Sequence, residues 1–416
     1  MAERFYIKEL ANGMTLLGQQ MEHVASAAMS LLVPAGAAHD PDGAAGAAAV
    51  CAEWCFRGAG ERDSRQLNRA LDALGCQHSQ SVLSEQVQFT AAQLGRNLGQ
   101  VLGIYADILR RPRLADETFE PCRQLTIQDL QSLEDEPARK CSVILREKFY
   151  PYPLGRCIYG RAESLEALQP DAARAQVRRG LTPAGAILGV AGRIDWDQLC
   201  SVAEELFGDW SSGPAPPIDR RAADGGVTYI QKQSSQAHIA LAHRSVTPGD
   251  SHYYAARVAE SVLSGGMSSR LFTEVREKRG LAYHASTRYH TLKDCAGMFT
   301  YAGTPPEHAQ ETLEVTIREL RRLAEGVEEA ELARSRTQLK STLIMQGEST
   351  VARAGALVAD WHHLRRLRSL QELADAIDGV TAGEVMEYLE RYPARDFTAL
   401  VIGPEPLDIE RAGGTR

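Results

Sequence analysis

Residues 89–92 read Phe-Thr-Ala-Ala and lead into a helical pattern with Leu98, Val101, Leu102, Tyr105 and Leu109 on one face. Displaced by 210 positions, residues 299–302 read Phe-Thr-Tyr-Ala, and a second helix follows with Leu313, Ile317, Leu320 and Ala324 on one face. Each helix runs into a further long helical stretch, around residues 116–134 and 328–366. The order ahead of these marks repeats as well. Predicted strands over residues 5–20 and 25–34, ending near Asp40-Pro41, precede a helix of small residues. Residues 227–245, ending near Pro248-Gly249-Asp250, precede a helix from about His252. Each half closes on a similar apolar strand, Ala186–Val190 and Thr398–Ile402. The shared order carries more weight than the shared dipeptide. The expected fold is α+β, with two homologous halves, each a mainly antiparallel sheet covered by helices.

Between the halves, residues 210–226 (WSSGPAPPIDRRAADGG) are too rich in proline and glycine for a regular helix or strand. This places an N-terminal half over residues 1–210, a linker over 211–226 and a C-terminal half over 227–416. A chain of 416 residues requires more than one core, and a 44% hydrophobic content can fill them. A net charge of -8 argues against a surface that grips nucleic acid by neutralising phosphates. No apolar run is long enough to span a bilayer, and MAERFYIKEL lacks the apolar stretch of a secretory signal. The eight cysteines show neither a disulfide framework nor a Cys-x-x-Cys pair. A cytoplasmic location with no membrane span is expected.

Residues 46–59 (GAAAVCAEWCFRGA) precede a helix with Leu67, Ala70, Leu71 and Leu74 at helical spacing. Together with ALDALG (70–75), Glu85, LEDEP (133–137), YPYPLGR (150–156) and Phe207-Gly208-Asp209-Trp210, this segment resembles the pitrilysin and mitochondrial-processing-peptidase family of zinc metallopeptidases. In active members the segment matching 49–53 reads His-x-x-Glu-His on a helix. The i, i+4 spacing puts both imidazoles on one face for zinc, and the glutamate activates the metal-bound water. The resemblance places Ala49 at the first histidine, Ala52 at the base, Glu53 at the second histidine and Asp129 at the third ligand. Two carboxylates and no imidazole remain, so this chain is expected to hold no metal. Cys51, Cys55 and His78 are the nearby side chains that could replace the lost ligands. Elsewhere, His362 and His363 read as surface residues of a helix. His284 and His290 flank a strand and have no carboxylate at ligand spacing.

In the second half, residues 264–283 read SGGMSSRLFTEVREKRGLAY. In the family this segment carries an arginine and a tyrosine, seven residues apart, that reach to the zinc site; the match assigns them to Arg276 and Tyr283. Arginine offers fixed donors to a carbonyl or carboxylate, a tyrosine hydroxyl can donate to an oxyanion, and Gly280 permits a sharp turn from helix to strand. The resemblance therefore implies a non-catalytic, substrate-binding subunit of a heterodimeric zinc endopeptidase. Its partner would be a related chain with an intact His-x-x-Glu-His motif and the zinc, and its substrate an unfolded peptide. The alternatives are an inactive structural homologue, comparable to the core subunits of a respiratory complex, and a peptide-binding homodimer.

Overall fold

The computed structural model describes residues 3–211, 213 and 217–413. Residues 212 and 214–216 of the predicted linker lie outside them. The N-terminal half contains strands β1 (Arg4–Glu9), β2 (Thr15–Gln20) and β3 (Ser26–Val33), then helix α1 (Ala47–Cys55). A short hairpin, β4 (Gly58–Ala59) and β5 (Arg62–Asp63), leads to α2 (Ser64–Ala73), which Asp63 and Gln66 cap reciprocally. Strands β6 (Gln77–Val82) and β7 (Val87–Leu94) are followed by α3 (Leu98–Arg110), α4 (Asp116–Ser132) and α5 (Pro137–Phe149). Helices α6 (Ala162–Ala167) and α7 (Pro170–Gly180) precede β8 (Ile187–Gly192) and α8 (Trp196–Phe207).

The C-terminal half repeats the order. Strands β9 (Val227–Gln231) and β10 (Ala237–Ser245) precede α9 (Tyr253–Ser264), then β11 (His284–Thr291) and β12 (Ala296–Thr304). Helices α10 (Ala309–Arg322), α11 (Glu329–Gly347), α12 (Thr350–Leu364), α13 (Leu370–Gly379) and α14 (Ala382–Arg391) lead to β13 (Thr398–Gly403). The helical stretch predicted over 328–366 is thus two helices. The chain leaves the helical path at Ser349, whose hydroxyl accepts from the Ala352 amide and starts α12.

The compact units do not coincide with the two sequence halves. One unit comprises Met1–Ser132, Arg156–Arg220 and Gln346–Arg368; the other comprises Leu133–Gly155, Arg221–Met345 and Ser369–Arg416. Each half therefore gives one helix to the other unit, α5 in one direction and α12 in the other.

The first unit holds a six-stranded sheet in the order β1-β2-β8-β3-β7-β6, antiparallel except for the β2–β8 pair. Alternation along the strands gives the sheet two apolar faces. Leu16, Met29, Leu31, Phe89, Leu188 and Val190 join the larger core, with Trp54 of α1 and Val101 and Tyr105 of α3. Leu17, Ala28, Leu32, Ile187 and Ala191 face the opposite way, where Ala354, Leu357, Val358 and Trp361 of α12 cover them. The close approach needs Gly189, because a Cβ there would stand 2.7 Å from Val358 Cγ1 and 2.9 Å from the Ala354 carbonyl oxygen. Arg353 of α12 is nearly fully buried and donates 2.7 Å to the Gln19 side chain.

The second unit repeats the device in a five-stranded sheet ordered β11-β12-β10-β13-β9, with β9–β13 as the parallel pair. Ile239, Leu241, Met298, Ala399 and Val401 face the core formed with α9, α10 and α14. Ala240, Ala242, Leu400 and Ile402 face Cys141 and Leu145 of α5. The repeat is real at the level of elements, since β7 and β12 occupy matching places in their sheets. The quoted residue match is not. Phe89 points into the core on the α1 and α3 side, whereas Phe299 packs on the side covered by α5. An offset of 210 is thus one residue out of step with the pleat, which sends a side chain to the other face.

Candidate functional site

Helix α1 begins where the chain passes the buried Asp40, whose carboxylate accepts 2.8 Å hydrogen bonds from the Gly46 and Ala48 amides. The Arg156 guanidinium clamps the same loop by donating to the Ala37 and Asp40 carbonyls. Ala49 and Ala52 of this helix, at the positions where the resemblance expects a metal ligand and a base, carry only methyl groups. Glu53 has both carboxylate oxygens engaged: one pairs with Arg57 a turn further on, and the other accepts from the Gln80 amide at 2.9 Å. Asp129 lies on the exposed part of α4, whose buried side is built from Phe119, Cys122, Thr126 and Ile127.

The substitute ligands are equally unsuited to a metal. Cys51 is buried and its thiol donates to the Ala173 carbonyl; burial holds it well above the ordinary thiol range and pushes Cys55 up to about 12. His78 stacks on Phe56, with ring centres 5.7 Å apart and planes 3° apart. Among the described residues no group of three His, Cys, Asp or Glu side chains is placed to hold a metal ion. A zinc ion does not fit the side chains at this position. Methyls stand at two of the positions, an internal cation already takes the Glu53 carboxylate, and Asp129 stands alone on the exposed part of its helix.

The other predicted residues lie on the second unit. From α9 the chain passes Gly265-Gly266 and enters a wide helical turn, Phe272–Glu277, anchored by the fully buried Leu271 and Val275. Glu274 sits beneath this turn, with Lys278 at 2.7 Å and Arg279 at 2.6 Å. Hydrogen bonds from Arg279 and Lys278 hold its carboxyl down at about 2. Gly280 then takes φ +62°, and the reversal delivers Tyr283 at the start of β11.

The charged run is therefore not one uniform solvated face. Glu274, Lys278 and Arg279 form an internal network, and Arg276 stands outside it. The Arg276 guanidinium carbon lies over two rings, 4.5 Å from the centre of Tyr283 and 4.9 Å from that of Phe272. Tyr283 is 77% exposed, so its ring is no core aromatic. Among the described residues neither the Arg276 N–H groups nor the Tyr283 hydroxyl has a hydrogen-bond or ion-pair partner. Phe272 was missed on sequence, although its spacing is informative: an aromatic residue four positions before an arginine shares its helical face.

The histidines resolve differently. His362 is not a surface residue: its side chain is 14% exposed, with the Gln86 amide at 3.1 Å and a Glu85 oxygen at 3.8 Å. The cause is the burial of α12 against the first sheet. His290 meets the Tyr150 hydroxyl at 2.8 Å, and burial lowers it to about 3.

Two such units, each a sheet with helices on both faces and with the order of elements repeated between the halves, form the duplicated α+β architecture that the resemblance implies. Residues 16–161 match the family model described as Insulinase (Peptidase family M16), and residues 167–339 match the Peptidase M16 inactive domain. The chain belongs to peptidase family M16, the pitrilysin-like family. It is 27% identical to an uncharacterized zinc protease of Rickettsia bellii, over 98% of this chain and 99% of that one. It is 25% identical to an uncharacterized zinc protease of Bacillus subtilis, over 94% and 97%. A Pseudomonas fluorescens structure described as a peptidase M16 inactive domain shares the fold with a TM-score of 0.89 at 18% identity, covering 97% of this chain and 99% of that one. A protease from Helicobacter pylori gives a TM-score of 0.88 at 17% identity, covering 97% of this chain and all of the other. Among the described residues no helix is long and apolar enough to cross a membrane.

Proposed function

We propose that this chain is the non-catalytic, substrate-binding subunit of a heterodimeric zinc endopeptidase, lending Arg276 and Tyr283 to the zinc site of a related partner. The observation that carries this reading is the state of the two hydrogen-bonding groups. In a run of charges where Glu274, Lys278 and Arg279 are paired with one another, Arg276 and Tyr283 face solvent and, among the described residues, their donors have no partner. A guanidinium and a phenol held side by side suit a peptide carbonyl and the oxyanion that develops from it. The first unit supports the other half of the reading, because Ala49, Ala52 and the internally paired Glu53 offer neither a metal cradle nor a base. Zinc and the activating glutamate would come from a partner carrying His-x-x-Glu-His, and the substrate would be an unfolded peptide.

The test is co-purification from the native source, followed by reconstitution. A second chain bearing His-x-x-Glu-His is expected to accompany this one, and the mixture is expected to cleave an unfolded peptide that this chain alone leaves intact. Full peptidase activity in this chain alone, or undiminished activity of the mixture with Arg276→Ala, overturns the proposal.

A further inference from the structure

Phe272 opens the turn that carries Arg276, yet its ring takes no part in the buried core of the second unit. Leu271 and Val275 fill that core from the same turn, and Phe272 is left half-buried beside them. What its ring does touch is the Arg276 guanidinium, one turn further along. A solvent-facing arginine ordinarily samples many rotamers, and ordering it on binding weakens the complex. An ion pair could hold it still but would occupy its N–H donors. Contact with aromatic rings restrains the guanidinium and leaves its donors available. Glu274, an acid on the same turn, is already held by Lys278 and Arg279.

We propose that Phe272 is a positioning residue for substrate: its ring, together with that of Tyr283, presets the Arg276 guanidinium to receive a carbonyl or carboxylate oxygen of an extended peptide. This rests on the reading of Arg276 as a substrate-gripping residue.

The experiment measures binding of fluorescein-labelled β-casein, an unfolded polypeptide, to the full chain by anisotropy. The unaltered protein is compared with Phe272→Leu, Phe272→Trp, Arg276→Ala and the Phe272→Leu/Arg276→Ala double variant, with melting temperatures confirming that each folds. Phe272→Leu is expected to weaken binding about five-fold, and Phe272→Trp, which keeps an aromatic face, to stay within about two-fold. Arg276→Ala is expected to weaken it at least about ten-fold, with Phe272→Leu adding nothing further in that background. Equal losses from Phe272→Leu in both backgrounds overturn the positioning role and leave the grip standing. Unchanged binding in Arg276→Ala, or no saturable binding by the unaltered chain, overturns the grip and with it the positioning role. A second readout is the Arg276 Nε–H resonance, which ring currents displace. Phe272→Leu is expected to move it and Phe272→Trp to keep it displaced; an unmoved signal in Phe272→Leu overturns the contact itself.

Discussion

The guanidinium carbon of Arg276 lies 4.5 Å from the ring centre of Tyr283, although the two stand seven positions apart in the chain with a left-handed glycine between them. Each shapes the other's place on an exposed surface, and neither uses its hydrogen-bonding groups to do so.

In the reconstituted peptidase, Arg276→Ala and Tyr283→Phe are therefore expected to lower turnover by about 10²-fold each, the loss typical of a missing oxyanion donor. Both side chains are exposed, so stability is expected to change by less than about 0.5 kcal/mol. Steady-state assays beside thermal melts check this; melting losses that account for the lost activity would refute the assignment.

Metal analysis probes the first unit. The purified chain is expected to hold well below one zinc per chain after dialysis against buffered zinc. Asp129→Asn is expected to leave that content unchanged, because its carboxylate stands on the exposed part of α4. Stoichiometric, tightly held zinc would refute the description of the α1 surroundings.

The seat of α12 can be challenged at Gly189. Gly189→Val sets new carbons against Val358 and the Ala354 carbonyl and is expected to cost about 2–3 kcal/mol by overpacking. Leu357→Ala, which opens a cavity in the same contact, is expected to cost about 2–4 kcal/mol. Urea denaturation measures both, and a neutral Gly189→Val would contradict the packing.

Acidification is expected to weaken the second unit through His243. Burial lowers this imidazole from 6.5 to about 4, so between those values the unfolded chain binds the proton and the folded one does not. Its contribution is present above about pH 6.5 and lost as pH falls towards 4. His243→Phe is expected to flatten stability over that interval, as read from denaturant midpoints between pH 4 and 7.

Much of this architecture is legible in the sequence, because strand alternation and helical periodicity are local. The strands over residues 5–20, 25–34 and 227–245, the closing strands and the turn at Gly280 all follow from such signals. The partners of a helix are not local. Leu357, Val358 and Trp361 announce that α12 buries a face, but nothing in their spacing says that the face meets Leu17, Leu32 and Ile187. For the same reason His362 reads as a surface residue and is largely buried. At the candidate site Arg276 and Tyr283 came from resemblance alone. Phe272, whose partner is four residues away, was open to direct reading. The Phe89 and Phe299 match failed because matching letters carry no record of the pleat.

The exchange of α5 and α12 governs how the protein can be made. During synthesis the first sheet is complete once residue 192 has emerged, yet one face waits for residues 350–364 before it is covered. Until then Leu17, Leu32 and Ile187 are open to solvent or to a chaperone. A fragment cut at the proline-rich junction would keep that face bare for good, so the duplicated halves, alike as they are, cannot be harvested as separate domains.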